Sequence, residues 1–202
     1  MKLLATATLA IASFSSAAGD ARPQTLAEIV RAHGGPIDVA TEREFSPAEL
    51  PEIVRDADLI AIVVVLDNGT SYVSADGRRI YSDFSVQINE KYFMSPAVVI
   101  AETITVSKPG GSITLAGYPV TAYERDFPPF SANEQYVLFL KYDPDAKHWI
   151  VPYGAQGAFR VGAGAVEQVS KDTGTWNRAN GRVPLDVFVK QVTQFIRPVP
   201  QP

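Results

Sequence analysis

The chain has two histidines and no cysteine, and those counts shape every chemistry it could perform. A Ser-His-Asp constellation would have to recruit His33 or His148. Neither stands near a nucleophile elbow, and the pattern G-x-S-x-G does not occur. A lone imidazole needs an oriented partner to serve as a base. His33 falls at the end of a predicted helix, where a cation complements the dipole. His148 opens a predicted hairpin strand beside Trp149. The 22 Asp and Glu residues offer many carboxylate pairs. Asp56 with Asp58, and Asp143 with Asp145, sit in turn-like stretches where aspartate bonds its own backbone. A calcium loop needs more oxygen ligands and a closing Glu, and Asp143-Pro-Asp-Ala-Lys147 puts a lysine at a ligand position. There is no phosphate-binding G-x-x-x-x-G-K-[ST] loop and no G-x-G-x-x-G after a strand. Without cysteine there is no thiolate metal site, no Cys nucleophile and no disulfide. The residues therefore assign no catalytic, metal or cofactor site, and the balance falls on a non-enzyme.

What remains is aromatic. Tyr118, Tyr123, Phe127, Phe130, Trp149 and Tyr153 fall in predicted loops or on predicted outer strand faces, and are the candidate partner contacts. Tyr and Trp combine an apolar body with a polar tip, which suits a protein or glycan partner. The competing reading has Phe127 and Phe130 plug a barrel end and Trp149 cover the seam of a C-terminal helix, because large aromatics are mostly buried.

Charge narrows the partners further. The formal net charge is −4 over 202 residues, with Lys and Arg scattered. Nucleic acid demands a clustered basic face, which is absent. The N-terminus has the three parts of a secretory leader. Met1-Lys2 is positive, Leu3–Phe14 is apolar, and Ser15–Gly19 supplies small residues. Cleavage is expected after Ala18, with Ala21 as the alternative site. The apolar run is too short for a membrane anchor, which needs about 20 residues. No later segment is long and apolar enough to span a bilayer, and the expected location is the periplasm or the extracellular medium.

The positioning elements follow from periodicity and turn signals. Residues 1–18 are read as the leader and 19–57 as a mainly helical segment. Residues 58–169 are read as a β-barrel, and 170–202 as a polar loop, a helix and a Pro-rich tail. Thr25-Leu-Ala-Glu28 and Ser46-Pro-Ala-Glu49 are capping boxes. Asp58–Leu66 is the longest apolar run outside the N-terminus, β-branched almost throughout, and reads as a central strand. Asp67-Asn-Gly69 is a turn. Arg79–Asn89 alternates as a half-buried strand, and Glu90–Ala101 is read as a connection. Thr103–Ser107 is a strand. Ile113–Tyr123, broken by Gly117 and Pro119, is placed at an edge or in a loop. Glu134–Tyr142 is apolar on both faces and reads as a second central strand. His148–Tyr153 and Gln156–Val161 follow as short strands, with Gly157 at a bulge or close contact. Pro184–Arg197 is an amphipathic helix presenting Leu185, Phe188, Val189, Val192, Phe195 and Ile196.

The order of "ADLIAIVVV", "IYSDFSVQINEKYF", "ETITVSKPGG" and "FSANEQYVLFLKYD" between Ala57 and Tyr142 resembles exported bacterial proteins of unassigned role. Those look like the OB-fold of the netrin-module and tissue-metalloprotease-inhibitor group. The resemblance implies a mainly β fold, a five-stranded OB-like barrel with flanking helices. The inhibitors of that group use an N-terminal cysteine and disulfides, and this chain has neither, so no functional residue carries over. The expected function is an exported non-catalytic barrel module binding a protein or glycan. The alternatives are a hydrolase whose carboxylate or serine site is not visible in the sequence, and a protease inhibitor by fold analogy, acting through a loop such as Phe127–Phe130.

Overall fold

The computed structural model of the chain describes residues 8–10, 23–41, 46–170 and 175–196. The expected cleavage sites at Ala18 and Ala21 and the Pro-rich tail lie outside them. In chain order the elements begin with β1 (Thr8–Ala10), α1 (Leu26–His33), β2 (Ile37–Thr41) and α2 (Leu50–Asp56). Next come β3 (Leu59–Val65), β4 (Thr70–Val73), β5 (Ile80–Met94) and β6 (Thr103–Pro109). A hairpin of β7 (Gly111–Leu115) and β8 (Tyr118–Glu124) precedes β9 (Gln135–Asp143) and β10 (His148–Ile150). One 3₁₀ turn, Gly154–Gly157, leads to β11 (Ala158–Gly162) and β12 (Ala165–Gln168). The chain closes with α3 (Thr175–Asn180), β13 (Val183–Pro184) and α4 (Leu185–Phe195).

Two compact units form from this order. The larger comprises residues 44–69, 83–108 and 126–202. Within it β10 pairs with both β6 and β9, so the sheet closes on itself through β3, β5, β6, β10 and β9. Numbered along the chain, the five barrel strands run 1-2-3-5-4 around the ring, the Greek-key closure of an OB-like barrel. Closure removes the exposed edges that an open sheet would carry there.

The two continuous apolar runs are explained by burial on both faces. Leu59, Ala61, Val63 and Val65 of β3 point into the barrel, together with Tyr136, Leu138 and Leu140 of β9. Ile60, Ile62, Val137 and Phe139 point the other way, under α2, α3 and α4. Phe188 and Val192 of α4 complete that outer layer with Phe159 and Trp176. Strand alternation thus serves two cores with one set of strands.

The smaller unit comprises residues 1–43, 70–82 and 109–125. Its sheet runs β1-β2-β8-β7, with β2 parallel to β8 and β7 antiparallel to it. Leu26 and Val30 of α1 pack with Ile37, Val39, Val120 and Ala122. The Thr25 capping box is formed, since Thr25 N–H donates to Glu28 Oε2 at 2.7 Å and Glu28 N–H to Thr25 Oγ1 at 3.3 Å.

Several expectations are corrected. Residues 19–57 contain a strand, β2, as well as helices. Helix α2 starts at Leu50 with Glu49 as its cap rather than Ser46. The reason is Gln156, whose buried side-chain amide accepts from Ala48 N–H at 2.8 Å and donates to the Ser46 carbonyl at 3.3 Å. Pro51 then sits in the first turn, where its missing N–H costs nothing. Strand β5 runs on to Met94 instead of ending at Asn89. Its pairing with β3 shifts register twice, and each bulge lets the strand bend on. The Tyr92-Phe93 pair breaks the alternation that would have shown this.

Ile113–Tyr123 is not a loop crossing, and only its first half, in β7, lies at the sheet edge. It is a hairpin turning at Ala116-Gly117, with φ of 50° and 85°, the positive-φ pair that suits strand twist. β8 lies inside its sheet, and Pro119 is tolerated because the β2 ladder begins one residue later, at Val120. Residues 170–183 hold α3, with Trp176 buried, rather than loop alone. Gly157 is the expected close contact: a Cβ there would lie 2.9 Å from Val151 Cγ1.

Candidate functional site

One end of the barrel is stoppered by aromatic rings. Phe130 packs edge-on against Phe84 at 5.2 Å and Phe127 at 5.5 Å, and tilts over Tyr136 at 5.0 Å. Lys108 lies buried beside them, its Nζ donating to the Phe127 carbonyl at 2.6 Å and standing 4.3 Å from the Phe127 ring. The ammonium thereby fixes the loop that carries both phenylalanines.

Outside this stopper is a pocket of about 250 Å³, lined by Pro128, Pro129, Glu134, Tyr136, Arg160 and Glu167 among others. Three neighbouring strands supply its polar row. Tyr136 of β9 lies opposite Arg160 of β11, and Arg160 opposite Glu167 of β12. Tyr136 donates its hydroxyl to Glu134 Oε2 at 2.6 Å. Arg160 Nη1 approaches Glu134 Oε1 at 3.4 Å. Burial first, and then Glu134, push the Tyr136 phenol well above its ordinary range. It is held as a neutral donor, not as a base. The pocket offers a guanidinium and two carboxylates around a proline wall. That set offers hydrogen-bond donors and acceptors for polar groups, and its one phenol donates to Glu134.

The six expected contact residues do not gather into one patch. Phe127 and Phe130 are core residues of the stopper, and Trp149 is buried inside the barrel against Tyr142 at 5.2 Å. The plug reading therefore describes the two phenylalanines. The helix seam is covered by Trp176, whose ring meets Phe188 at 5.3 Å, and not by Trp149. Tyr118 and Tyr123 are exposed on β8 of the smaller unit. Tyr153 is half-buried, and its hydroxyl donates to Asp56.

That last bond sets two titrations. The Tyr153 hydroxyl, and after it the Arg55 guanidinium at 3.1 Å, hold Asp56 below the usual carboxylate range. Bonding to Asp56, and then burial, push Tyr153 up to about 12. Two of the turn aspartates act on backbone. Asp143 Oδ1 accepts from Asp145 N–H at 3.0 Å and Ala146 N–H at 3.1 Å. Asp67 Oδ1 accepts from Gly69 N–H at 2.9 Å. Among the described residues no three His, Asp or Glu side chains converge as a metal site, and no helix is long and apolar enough to cross a membrane.

Of the pocket residues, only the Glu134/Tyr136 pair is legible in the sequence, as an i, i+2 pair on one strand face. Arg160 and Glu167 join it through strand pairing, for which the local sequence carries no signal. The fold and pocket define a class, a small closed OB-like barrel with a polar pocket at one end. No protein-family model matches the chain, and no curated protein matches it.

Proposed function

We propose that the chain is an exported, non-catalytic barrel module that binds a protein or glycan partner, a polar group of which enters the barrel-end pocket. The observation carrying this reading is the state of Glu134. Its carboxylate is committed to Tyr136 and Arg160, so it serves as a fixed acceptor and not as an available base. Arg160 and Glu167 beside it add a donor and a second acceptor, the mixture that hydroxyls and amides need. The ring order supports kinship with netrin-like OB modules, and the leader-like N-terminus supports export.

Arrays of immobilised glycans and envelope proteins, probed with the full chain, test the proposal. Binding should weaken about tenfold in Arg160→Ala and in Glu167→Gln, with an unchanged circular dichroism spectrum. Hydrolysis of ester, peptide or glycoside substrates that disappears in Glu134→Gln would overturn it.

A further inference from the structure

We propose that the outer edge of β5 over Asn89–Met94 accepts an extended, basic peptide segment as an added strand. The inference does not depend on the barrel-end pocket. On one side β5 is paired with β3 as far as Met94, opposite Leu59. On the other side β6 begins only at Thr103, and the bond from Ile88 N–H to the Glu102 carbonyl at 2.8 Å is where the two strands part. Among the described residues no backbone bond links Asn89–Met94 to the returning segment Ser95–Ala101. An extended backbone therefore runs from Asn89 to Met94 with one edge unpaired, and unpaired N–H and C=O groups template another strand.

The space beside that edge is suited to a strand. A groove of about 460 Å³ lies between Asn89, Glu90 and Lys91 on one wall and Ile100, Ala101 and Glu102 on the other. The returning wall is mixed: Ile100 leans on the barrel core, and Ala101 and Glu102 follow it, both exposed. The main-chain edge, and not an apolar wall, would therefore supply most of the affinity for an added strand. Two carboxylates against one ammonium leave the lining net acidic, so the occupant should carry lysine or arginine. Burial, with Glu90 next, pushes the Tyr92 phenol up to about 12, which keeps it neutral beside that carboxylate.

The probe is a fluorescein-labelled peptide alternating valine with lysine and threonine, titrated into the full chain and followed by anisotropy. Saturable binding is expected, with slowed amide exchange confined to Asn89–Met94. Methylating alternate peptide nitrogens should weaken it about tenfold or more, because strand pairing needs those donors. Ala101→Trp, a change at an exposed position, should block the groove, and Glu102→Lys should shift preference to a peptide with glutamate in place of lysine. Four results would each overturn the proposal. They are no binding of the basic peptide, binding indifferent to nitrogen methylation, binding indifferent to Ala101→Trp, and self-association of the chain that Ala101→Trp abolishes.

Discussion

At the scale of single residues, two polar contacts tie together segments far apart in the chain. The Gln156 amide presents a donor and an acceptor to residues 46–48, and its own backbone carbonyl accepts from Gln168 Nε2 at 2.8 Å. Gln156→Ala leaves Ala48 N–H and the Ser46 carbonyl without that partner. The expected loss is about 1–3 kcal/mol in urea unfolding, concentrated in faster amide exchange at the start of α2. Tyr153 and Asp56 make the second case. Asp56 is depressed below its ordinary value of 3.8, so its contribution is present above that value and fades as pH falls through the lower folded one. Tyr153 is raised from 10.0 to about 12, so its contribution holds below pH 10 and fades as pH rises through about 12. The stability gap between the wild type and Tyr153→Phe should therefore be flat from about pH 5 to about pH 9 and close at both extremes. Ultraviolet titration should find a phenol near 12 that returns toward 10.0 in Asp56→Asn.

At the scale of elements, the outer layer tests how far a helix pattern can be trusted. Of the apolar stripe read on α4, Phe188 and Val192 are buried and Phe195 is 41% exposed. Phe188, at 0% exposure, touches Phe139, Phe159 and Trp176. Phe188→Ala should cost about 3–5 kcal/mol in denaturant unfolding, and Phe195→Ala within about 0.5 kcal/mol. Equal effects would mean that α4 docks by a different face. The same elements mark what the sequence could convey. Strands β3 and β9 are legible because burial on both faces forces uninterrupted apolar runs. The bulged end of β5 is not, since its two register shifts erase the alternation that identifies a strand. Helix α3 is hidden because one buried tryptophan among polar residues makes no period. The pocket is hidden because Arg160 and Glu167 meet Tyr136 only through pairing.

At the scale of the whole molecule, the proposed export makes a direct prediction. Mass spectrometry of the chain recovered from a bacterial envelope should find a product starting at Gly19. Ala18→Trp, which puts a bulky ring where the peptidase needs a small residue, should leave the precursor uncut. Cleavage there would also remove Thr8–Ala10, which lies along β2 at Asp38–Ala40, so slower exchange at β2 in the precursor than in the product is expected. The smaller unit has one more consequence. It is sewn from three separated stretches, and the neighbour of Ile37 in β2 is Val120 in β8. Synthesis at about 5–20 residues per second therefore leaves β2 waiting, on the order of several seconds, for a partner not yet made. This early piece is satisfied only when β8 follows it, about 80 residues later. A holding chaperone, or a translocation channel that keeps the chain extended, would guard that interval, and the timetable is written into the order of the strands.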